Sequence, residues 1–503
     1  MNERTDRDKS IVESIWLTLW TYLFMMCFAL AIYTKGTYNE LGNTKFSFYR
    51  SISIAGVILL CPLYVLLIII NKKKILAKRN IRLVDIAFLS FAITNLLTFC
   101  FAVDRQESLW GTTGWNMGFL TWCLMIFYYF SFSRFMKWKN YLWYIIFIPV
   151  FIVAFLAILN RFGVISIFGT GTNSFFLSTI GNINWYCGYL SVFMPLGICL
   201  FTMEKLNNII IKCGLALWVI VCYTSAFTQG STSIIVIMLA TNTVLLLVCL
   251  AKRELWISYL IQLAVCGLSM EVVRFLVKIY GYNYEGGNLC ISIVDKRTGL
   301  ILMAVSFFLI SVSRLLRAMN IKWHKKVYLF TYVLCIIGCM LVAIFLIINN
   351  FNEEFGNGRG FIWIYSARLF NELDVFRKLV GIGQDCYAYY SYSIGEYAYI
   401  LDMEFGSARL TNAHSELFTL LINNGILGLL SYVFVLGAVV LEFAGKYKKD
   451  KNIFALAFLI SLIAYTCNNF ISFAQIMSTP YIFMLIGIGE AAVRDDQFNQ
   501  DPE

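Results

Sequence analysis

The sequence predicts an all-α integral membrane protein, on the grounds of its composition, its hydropathy and the length of its apolar runs. Hydrophobic residues make up 60% of the 503 positions, charged residues only 14%, and the mean hydropathy is +0.73. No soluble fold keeps that much apolar surface away from water. The chain has 5 prolines, and it lacks the alternating segments of roughly ten residues that a membrane barrel needs, so the spans are expected to be helical.

Apolar segments recur along the whole chain, each long enough to cross a hydrocarbon core about 30 Å thick. We expect about 12 to 14 transmembrane helices, which form a single polytopic domain over residues 1–503. The predicted spans begin near Ile15, Ile52, Leu83, Trp115, Tyr141, Trp185, Ile209, Ser233, Leu255, Leu300, Val327, Ile426, Ile453 and Tyr481.

The distribution of lysine and arginine predicts how the spans are oriented. Basic residues crowd four loops that fall on one side under this span count, at residues 72–82, 134–139, 314–326 and 446–451. The first of these loops contains Lys72, Lys73, Lys74, Lys78, Arg79 and Arg82. By the positive-inside rule both termini are cytoplasmic and the loop 350–412 is outside the cell membrane. The net charge of +11 is explained by this topology, and we expect no nucleic-acid partner.

The loop 350–412 exceeds an ordinary connection in length, so we expect it to contain short helices and much of the functional site. Glycines surround Arg359 in Gly356-Asn357-Gly358-Arg359-Gly360. The guanidinium could anchor the loop to lipid headgroups or bind a diphosphate, and the spacing alone does not decide between these. Helical periodicity over 361–368 predicts a short helix on the membrane surface.

Two further features of this loop are a turn and a cluster of tyrosines. Gly381-Ile382-Gly383-Gln384-Asp385 has the composition of a turn. Six tyrosines follow from Tyr387 to Tyr399. They suit an aromatic belt at the membrane interface, or a surface on which sugar rings stack, and both interpretations stay open.

His414 is one of only 2 histidines, and it lies where the polar loop meets the next apolar run. Asn412 is a good N-cap, so we expect a helix from about Ala413 to Asn423 with His414 in its first turn. The positive helix end and the nearby Arg359 and Arg409 favour a neutral imidazole, which can act as a general base. The alternative is a histidine that only hydrogen-bonds at a helix start.

Most of the 15 cysteines lie in apolar runs, where cysteine behaves as a small hydrophobic residue. Cys290 and Cys386 both fall in predicted outside loops, and a disulfide between them stays open.

Several motifs together carry a family resemblance. Gly358-Arg359-Gly360 with Trp363, then Gly381-Ile382-Gly383, His414-Ser415-Glu416-Leu417 and Asn424-Gly425-Ile426-Leu427-Gly428-Leu429 follow in order. This set resembles the C-terminal signature of the O-antigen ligase and polymerase superfamily. Asp104 with Ser108-Leu109-Trp110-Gly111 and Gly118, and the segment from Gly181 to Leu190, agree with it. The likeness extends from about residue 100 to 440.

The resemblance implies a membrane-embedded, metal-independent inverting glycosyltransferase without a cofactor, similar to GT-C-type lipid-linked glycan transferases. Its donor would be a glycan on undecaprenyl diphosphate, and its acceptor the hydroxyl of a glycan, a lipid or a protein. By this resemblance Arg359 would hold the diphosphate and His414 would activate the acceptor hydroxyl. Arg409, Arg297, Asn184, Trp363 and Glu416 are the further candidates for substrate binding. Polymerase and ligase remain equally compatible with these residues.

The sequence departs from the family pattern in one segment. The family usually has an arginine in a Ser-Arg-Gly-like stretch that opens a middle span, whereas this chain has Thr228-Gln229-Gly230-Ser231-Thr232-Ser233. Arg297 or Arg409 would then supply the charge, or the donor is handled differently. A flippase for lipid-linked oligosaccharides is the alternative class, but it would place charged residues inside its spans, which we expect to be nearly free of charge.

Overall fold

The computed structural model describes residues 2–70, 81–139, 141–167, 174–204, 208–282, 284, 288–406 and 408–494, with only the backbone for 2–8 and Asn39. The basic residues Lys72, Lys73, Lys74, Lys78 and Arg79 lie outside the described residues. The chain forms two compact units. Unit 1 comprises residues 1–150, 369–462 and 472–503, and unit 2 comprises 151–368 and 463–471.

The all-α prediction is confirmed for the described residues. Unit 1 contains the helices Asn2–Phe24, Met25–Leu30 (a π-helical continuation), Tyr38–Glu40 (a 3-10 turn), Leu41–Ile70, Leu83–Cys100, Arg105–Trp110, Phe119–Phe135, Val375–Val380, Tyr387–Ser393, Gly395–Phe405, Glu416–Asn423, Gly425–Asp450 and Thr479–Arg494. Unit 2 contains Ile183–Met203, Ile209–Thr228, Ser233–Cys249, Arg253–Tyr280, Leu289–Asp295, Thr298–Ala318 and Lys325–Asn350. Leu142–Arg161, Phe355–Glu372 and Ile453–Asn469 have residues in both. A short antiparallel hairpin pairs Phe176–Leu177 with Gly181–Asn182.

Each of the fourteen predicted spans overlaps a helix, and ten helices among the described residues are long and apolar enough to cross a membrane. The other four are Phe119–Phe135, Ser233–Cys249, Ile453–Asn469 and Thr479–Arg494, with 17, 17, 17 and 16 residues. That length is at the short end of what a core of about 30 Å requires. The chain is therefore a polytopic membrane protein by the length and composition of its helices.

Unit 1 is held together by close helix pairs. Helices Leu83–Cys100 and Gly425–Asp450 are joined by a hydrogen bond between the hydroxyls of Thr94 and Ser431, 2.7 Å apart. Helices Phe119–Phe135 and Thr479–Arg494 approach so closely that a Cβ on Gly487 would lie 2.9 Å from the carbonyl oxygen of Tyr129. Small residues at such crossings let helix backbones come together in a bilayer.

An ion-pair network joins four helices at one end of unit 1. Asp85 is 1% exposed, and its Oδ2 lies 2.8 Å from Nη2 of both Arg134 and Arg494. Arg494 also pairs with Glu490 at 3.2 Å, and Arg82 pairs with Glu442 at 2.5 Å. Asp85 lies in the first turn of its helix, and Arg134 and Arg494 lie in the last turns of theirs, so these three residues are at helix ends.

Unit 2 contains a deeply buried helix and one very close helix crossing. Most of Ile183–Met203 is buried, more than in any other described span. Gly267 and Gly299 face each other where Arg253–Tyr280 crosses Thr298–Ala318, and a Cβ on either would meet the carbonyl oxygen of the other at 2.6 and 2.5 Å. Glycine is needed at both positions because the two backbones are in contact.

The segment 350–412 contains several helices, and its role as one external loop stays a prediction. The helical prediction for 361–368 is confirmed by Phe355–Glu372, although Gly356, Asn357 and Gly358 have left-handed backbone angles inside it. The predicted turn at 381–385 is also confirmed, with positive φ at Gly381, Gly383 and Asp385. The tyrosine-rich stretch forms Tyr387–Ser393 and Gly395–Phe405. Its location relative to the membrane stays a prediction.

Candidate functional site

Two of the glycine motifs meet in unit 1. The backbone N–H of Gly383 donates to the carbonyl of Asn423 at 3.0 Å, and that of Ile382 donates to Ile422 at 3.2 Å. These bonds satisfy carbonyls at the end of the helix Glu416–Asn423, which have no partner within the helix. A Cβ on Gly381 would collide with the backbone of Asn423. The turn at 381–383 therefore needs glycine because it packs directly on that helix end.

A third motif binds the same turn. The Asp385 carboxylate accepts the backbone N–H of Thr112 at 2.8 Å and that of Met117 at 3.2 Å. Ser108 donates its hydroxyl to Oε1 of Gln384 at 2.8 Å. The segments around 108–118, 381–385 and 424–425, which are far apart in sequence, thus form one connected structure that supports the His414 region.

The predicted position of His414 in the first turn of a helix is wrong. The helix begins at Glu416 with Ser415 as its N-cap, and His414 precedes it with a φ of 46°. Histidine adopts this left-handed region more readily than most non-glycine residues. The Asn412 Oδ1 accepts the backbone N–H of His414 at 2.9 Å. Asn412 therefore forms a turn through its side chain instead of capping a helix.

The His414 ring has a defined aromatic neighbour. Its centroid lies 5.5 Å from that of Phe473, with the ring planes tilted by 37°. His414 is half-buried, whereas its neighbours Ala413 and Ser415 are buried. Within the segment 412–416 the imidazole is therefore the most accessible side chain, which is what a group that meets a substrate requires.

Phe473 also lines a small enclosed cavity, together with Glu416, Asp385, Asn412 and Trp115. The cavity has a volume of about 30 Å³, which is enough for a water molecule or two but not for a sugar ring. Glu416 was a candidate for substrate binding from the sequence. It lines this cavity, where its Oε2 accepts the backbone N–H of Ala474, and its role in substrate binding stays a prediction.

Both carboxyls of the cavity have strongly shifted pKa values. The pKa of Glu416 is raised from 4.5 to about 8, mainly by burial and in part by the nearby Asp385, although the N–H of Ala474 lowers it. Burial also raises the pKa of Asp385 from 3.8 to about 7, although the N–H groups of Met117 and Thr112 lower it in part. Two carboxyls that take up or release protons near neutral pH lie beside the cavity, a pattern often found at functional sites.

Arg409 also lies in unit 1, five positions before His414. It is exposed, and its guanidinium carbon is 4.1 Å from the centroid of the Tyr392 ring. The Tyr392 hydroxyl accepts the backbone N–H of Leu410 at 3.1 Å. A cation stacked on an aromatic face has a restricted position, so Arg409 is held at the surface by the tyrosine-rich stretch.

Arg359 lies in unit 2, and two carbonyls orient its guanidinium. Its Nε donates to the carbonyl of Ile471 at 3.1 Å, and its Nη1 donates to Gly356 at 2.8 Å. Burial lowers the pKa of Arg359 from its ordinary value. On the same helix, Trp363 packs against the rings of Phe351 and Phe355, with centroids 6.4 and 6.2 Å away. These two backbone carbonyls therefore fix the orientation of the Arg359 guanidinium.

The segment 228–233, which contains no arginine, is contacted by an arginine from another part of unit 2. Arg161, which is 3% exposed, donates from Nη2 to the carbonyl of Gln229 at 2.5 Å and from Nη1 to Ser174 at 2.8 Å. Its guanidinium carbon lies 5.1 Å from the ring centroid of Tyr284. All of these residues belong to unit 2. Arg161 thus brings a positive charge to the segment 228–233.

Asn184 and Arg297 have different surroundings in unit 2. The Asn184 side-chain oxygen accepts the Ser231 hydroxyl at 2.8 Å, so it lies beside the Gln229 segment. Arg297 is exposed and left-handed, with a φ of 59°, at the N-cap of Thr298–Ala318. Asn184 and Arg161 therefore contact the same segment, 228–233. Arg297 lies at the start of a different helix.

Cys290 and Cys386 are both buried and free, so the structure contains no bridge between them. Cys386 lies next to Asp385, and its thiol is 3.5 Å from the carbonyl oxygen of Asp104. Both cysteines therefore fit the role of small buried residues.

Phe473, Trp115 and Arg161 are residues of these sites that the sequence does not single out. Phe473 and Trp115 have no local motif, and their rings meet at 4.8 Å. Arg161 ends the helix Leu142–Arg161, where a basic residue is ordinary. The one available signal was the segment around Gln229. It lacks the arginine of the pattern that it resembles, so another arginine could be expected to contact it.

Comparison of the chain with protein-family models and with curated proteins finds no match. The fold and the helix compositions define the class as a polytopic, all-α membrane protein with ten candidate spans among the described residues.

Proposed function

We propose that this protein is a membrane-embedded glycosyltransferase that moves an oligosaccharide from a lipid diphosphate to an acceptor hydroxyl, outside the cell membrane. The lipid is of the undecaprenyl type, and the product is a surface polysaccharide such as O-antigen or capsule. Polymerase and ligase share this chemistry, and we favour a polymerase slightly. The order of the motifs from Arg359 to Asn424 supports the proposal, through their resemblance to the O-antigen ligase and polymerase superfamily.

The geometry of His414 is the observation that carries the proposal. A non-glycine residue with a φ of 46° is held by the Asn412 side chain, and its ring contacts Phe473. Uncommon backbone conformations of this kind cluster at functional sites, where the surrounding structure maintains them. An imidazole with a fixed backbone and an accessible ring suits a general base.

In the proposed reaction, His414 accepts the proton of the acceptor hydroxyl. The acceptor oxygen forms a bond with the anomeric carbon of the donor sugar, and the bond from that carbon to the diphosphate oxygen breaks. The electron pair leaves with the lipid diphosphate, and the anomeric configuration inverts. Cationic side chains that bind the diphosphate stabilise the negative charge that grows on it.

Arginines of unit 2 are the proposed donor ligands. The fork of Arg359 is oriented by the carbonyls of Ile471 and Gly356, and a planar fork suits two phosphate oxygens. We propose that Arg161, at the carbonyl of Gln229, supplies the charge that the family places in that segment. Arg297 and Arg409 are then not needed for this role.

A flippase for the same lipid-linked oligosaccharide is the second candidate. The buried network of Asp85, Arg134 and Arg494 favours it, because ionisable residues inside membrane helices often mark a transport path. These three residues lie at helix ends, and the network pairs three positive with three negative groups. This arrangement is equally compatible with a structural role, in which the ion pairs hold the helices together. The transferase remains the better supported function.

One experiment separates the two classes. The purified protein is reconstituted in liposomes with a fluorescent lipid-linked oligosaccharide, and the products are analysed for new glycosidic bonds and for leaflet exchange. The transferase proposal predicts longer or transferred glycans and released lipid diphosphate. Leaflet exchange without bond formation would support the flippase instead.

A further inference from the structure

Unit 2 contains a second cavity, wide open to its surroundings, at the start of two long helices, with a volume of about 380 Å³. Lys252, Arg253, Arg317 and Lys325 line it, with Trp323 as its aromatic wall and Glu254 as its one carboxylate. A volume of this order suits a small ligand or a lipid headgroup. The cavity uses no residue of the proposed glycan-transfer chemistry.

Positive charge is in excess around this cavity. Four basic side chains face one carboxylate, and the pair of Arg317 and Glu254 has its nearest atoms 3.4 Å apart with both side chains largely exposed. An exposed ion pair of this kind contributes little to stability. Glu254 therefore leaves most of the positive charge unbalanced.

The helix ends add to this charge. Arg253 and Lys325 are the first residues of Arg253–Tyr280 and Lys325–Asn350, and neither helix has a side-chain hydrogen bond at its N-cap. Helix N-termini carry partial positive charge and favour acidic residues, so basic residues there are unfavourable unless an anion is bound.

The side chains of the cavity are arranged before any ligand binds. The Trp323 indole donates to the carbonyl of Leu250 at 2.9 Å, and the guanidinium carbon of Arg253 lies 5.6 Å from the Trp323 ring centroid. Arg253 Nη2 donates to the carbonyl of Ile321 at 2.7 Å, while its buried Nε has no hydrogen-bond partner among the described residues. Tryptophan at such a helix end is typical of headgroup depth in a membrane.

The apolar surface beside the cavity identifies the kind of ligand. The helix Lys325–Asn350 has no buried residue in the described structure and the highest mean hydropathy among the candidate spans. Acyl chains can lie along it while a phosphate occupies the basic cavity. Basic pockets at the ends of transmembrane helices bind anionic lipid headgroups in this way.

We propose that the cavity formed by Lys252, Arg253, Arg317, Trp323 and Lys325 binds the phosphate of an anionic phospholipid. The phosphate chemistry is shared with free phosphate, but the adjacent apolar helix favours the lipid. Arg253 holds the phosphate with its fork, and the lysines provide the remaining charge.

The test measures thermal stabilisation of the full-length protein in detergent by phosphatidylglycerol, phosphatidylcholine or inorganic phosphate. Phosphatidylglycerol should stabilise the wild type, and the other two should not. The double variant Lys252→Gln/Lys325→Gln should weaken apparent phosphatidylglycerol binding about tenfold or more, because each lost contact to an ionised group is strong. Both lysines are exposed, so the double variant is expected to fold.

Lys326→Gln is the matched control, since Lys326 is exposed on the same helix but does not line the cavity. It should bind phosphatidylglycerol as the wild type does. Arg253→Lys keeps the charge and removes the fork, and it should bind more weakly than wild type. Equal phosphatidylglycerol binding by the wild type and the double variant would overturn the proposal. Stabilisation by inorganic phosphate and not by phosphatidylglycerol would overturn the lipid as the ligand.

Discussion

The His414 ring lies 5.5 Å from the ring of Phe473, and Phe473 in turn lines the cavity that contains Glu416 and Asp385. One aromatic side chain thus touches both the proposed base and the water-sized cavity. The Asn412 side chain holds the backbone of His414 by accepting its N–H. These contacts within unit 1 make the orientation of the imidazole a property of the fold, which the following variants test.

Asn412→Ala should lower the turnover number for glycan transfer. The variant removes the oxygen that accepts the His414 N–H at 2.9 Å, a bond worth about 1 kcal/mol, or about fivefold in rate. Asn412→Ser should recover part of the rate, because a serine hydroxyl forms the same turn more weakly. Steady-state kinetics would show a lower kcat with an unchanged KM for the donor. A wild-type kcat in the alanine variant would rule out this positioning role.

Arg359→Lys should impair transfer strongly while leaving insertion into the membrane intact. Lysine keeps the charge but cannot reproduce the fork that bonds Ile471 and Gly356. Losing the contact to a desolvated diphosphate should cost roughly 2 to 4 kcal/mol, or about 30-fold to 1,000-fold in rate.

Arg368→Lys provides the matched control, because Arg368 lies on the same helix and is exposed. Its transfer rate should equal that of the wild type. Full activity in Arg359→Lys would contradict the diphosphate role and would favour the alternative, in which Arg359 anchors the loop to lipid headgroups.

Glu416 should make the stability of the protein depend on pH. Its pKa is about 8 in the folded chain against an ordinary value of 4.5. The folded state therefore binds this proton more tightly than the unfolded state, so the stabilisation is complete below pH 4.5 and is lost as the pH rises toward about 8. Asp385, with its pKa raised to about 7, acts in the same direction.

Thermal unfolding in detergent from acidic to mildly alkaline pH measures this effect. The wild type should lose stability with rising pH, and Glu416→Gln should lose less, because glutamine does not ionise. Glu404→Gln changes an exposed carboxyl and should follow the wild type. Identical pH profiles for Glu416→Gln and the wild type would contradict the buried, protonated carboxyl.

The predicted topology places Asn357 outside and the basic loop around Lys322 inside. In a cysteine-depleted background, Asn357→Cys should react with an impermeant thiol reagent in intact cells. Lys322→Cys should react only after permeabilisation. The reverse pattern would invert the topology and remove the basis for a reaction on the outer face.

The helices of this protein are predictable because each needs only a local signal. The apolar run near Trp185 becomes Ile183–Met203, and the glycines at 381 and 383 form the predicted turn. The start of the helix after His414 was misplaced because asparagine suits both an N-cap and a side-chain turn. Residue 412 alone does not distinguish these two structures.

The contacts that assemble the sites leave no local signal. Arg161 and Gln229 are 68 positions apart, and Phe473 is far in sequence from His414. Pairings of this kind depend on how helices pack, and packing follows from the whole set of side chains. The motifs therefore indicated His414 and Arg359, but neither the Phe473 ring beside His414 nor the contact of Arg161 with Gln229.

The central claim is that glycan transfer depends on His414 as the base. The direct measurement compares initial rates of glycosidic bond formation in liposomes for wild type, His414→Gln and His324→Gln, with donor binding measured in parallel. His414→Gln should lose about 100-fold to 10,000-fold in rate with donor binding unchanged, because glutamine cannot accept a proton near neutral pH. His324→Gln, the other histidine, should transfer at the wild-type rate. Wild-type transfer by His414→Gln would contradict the account.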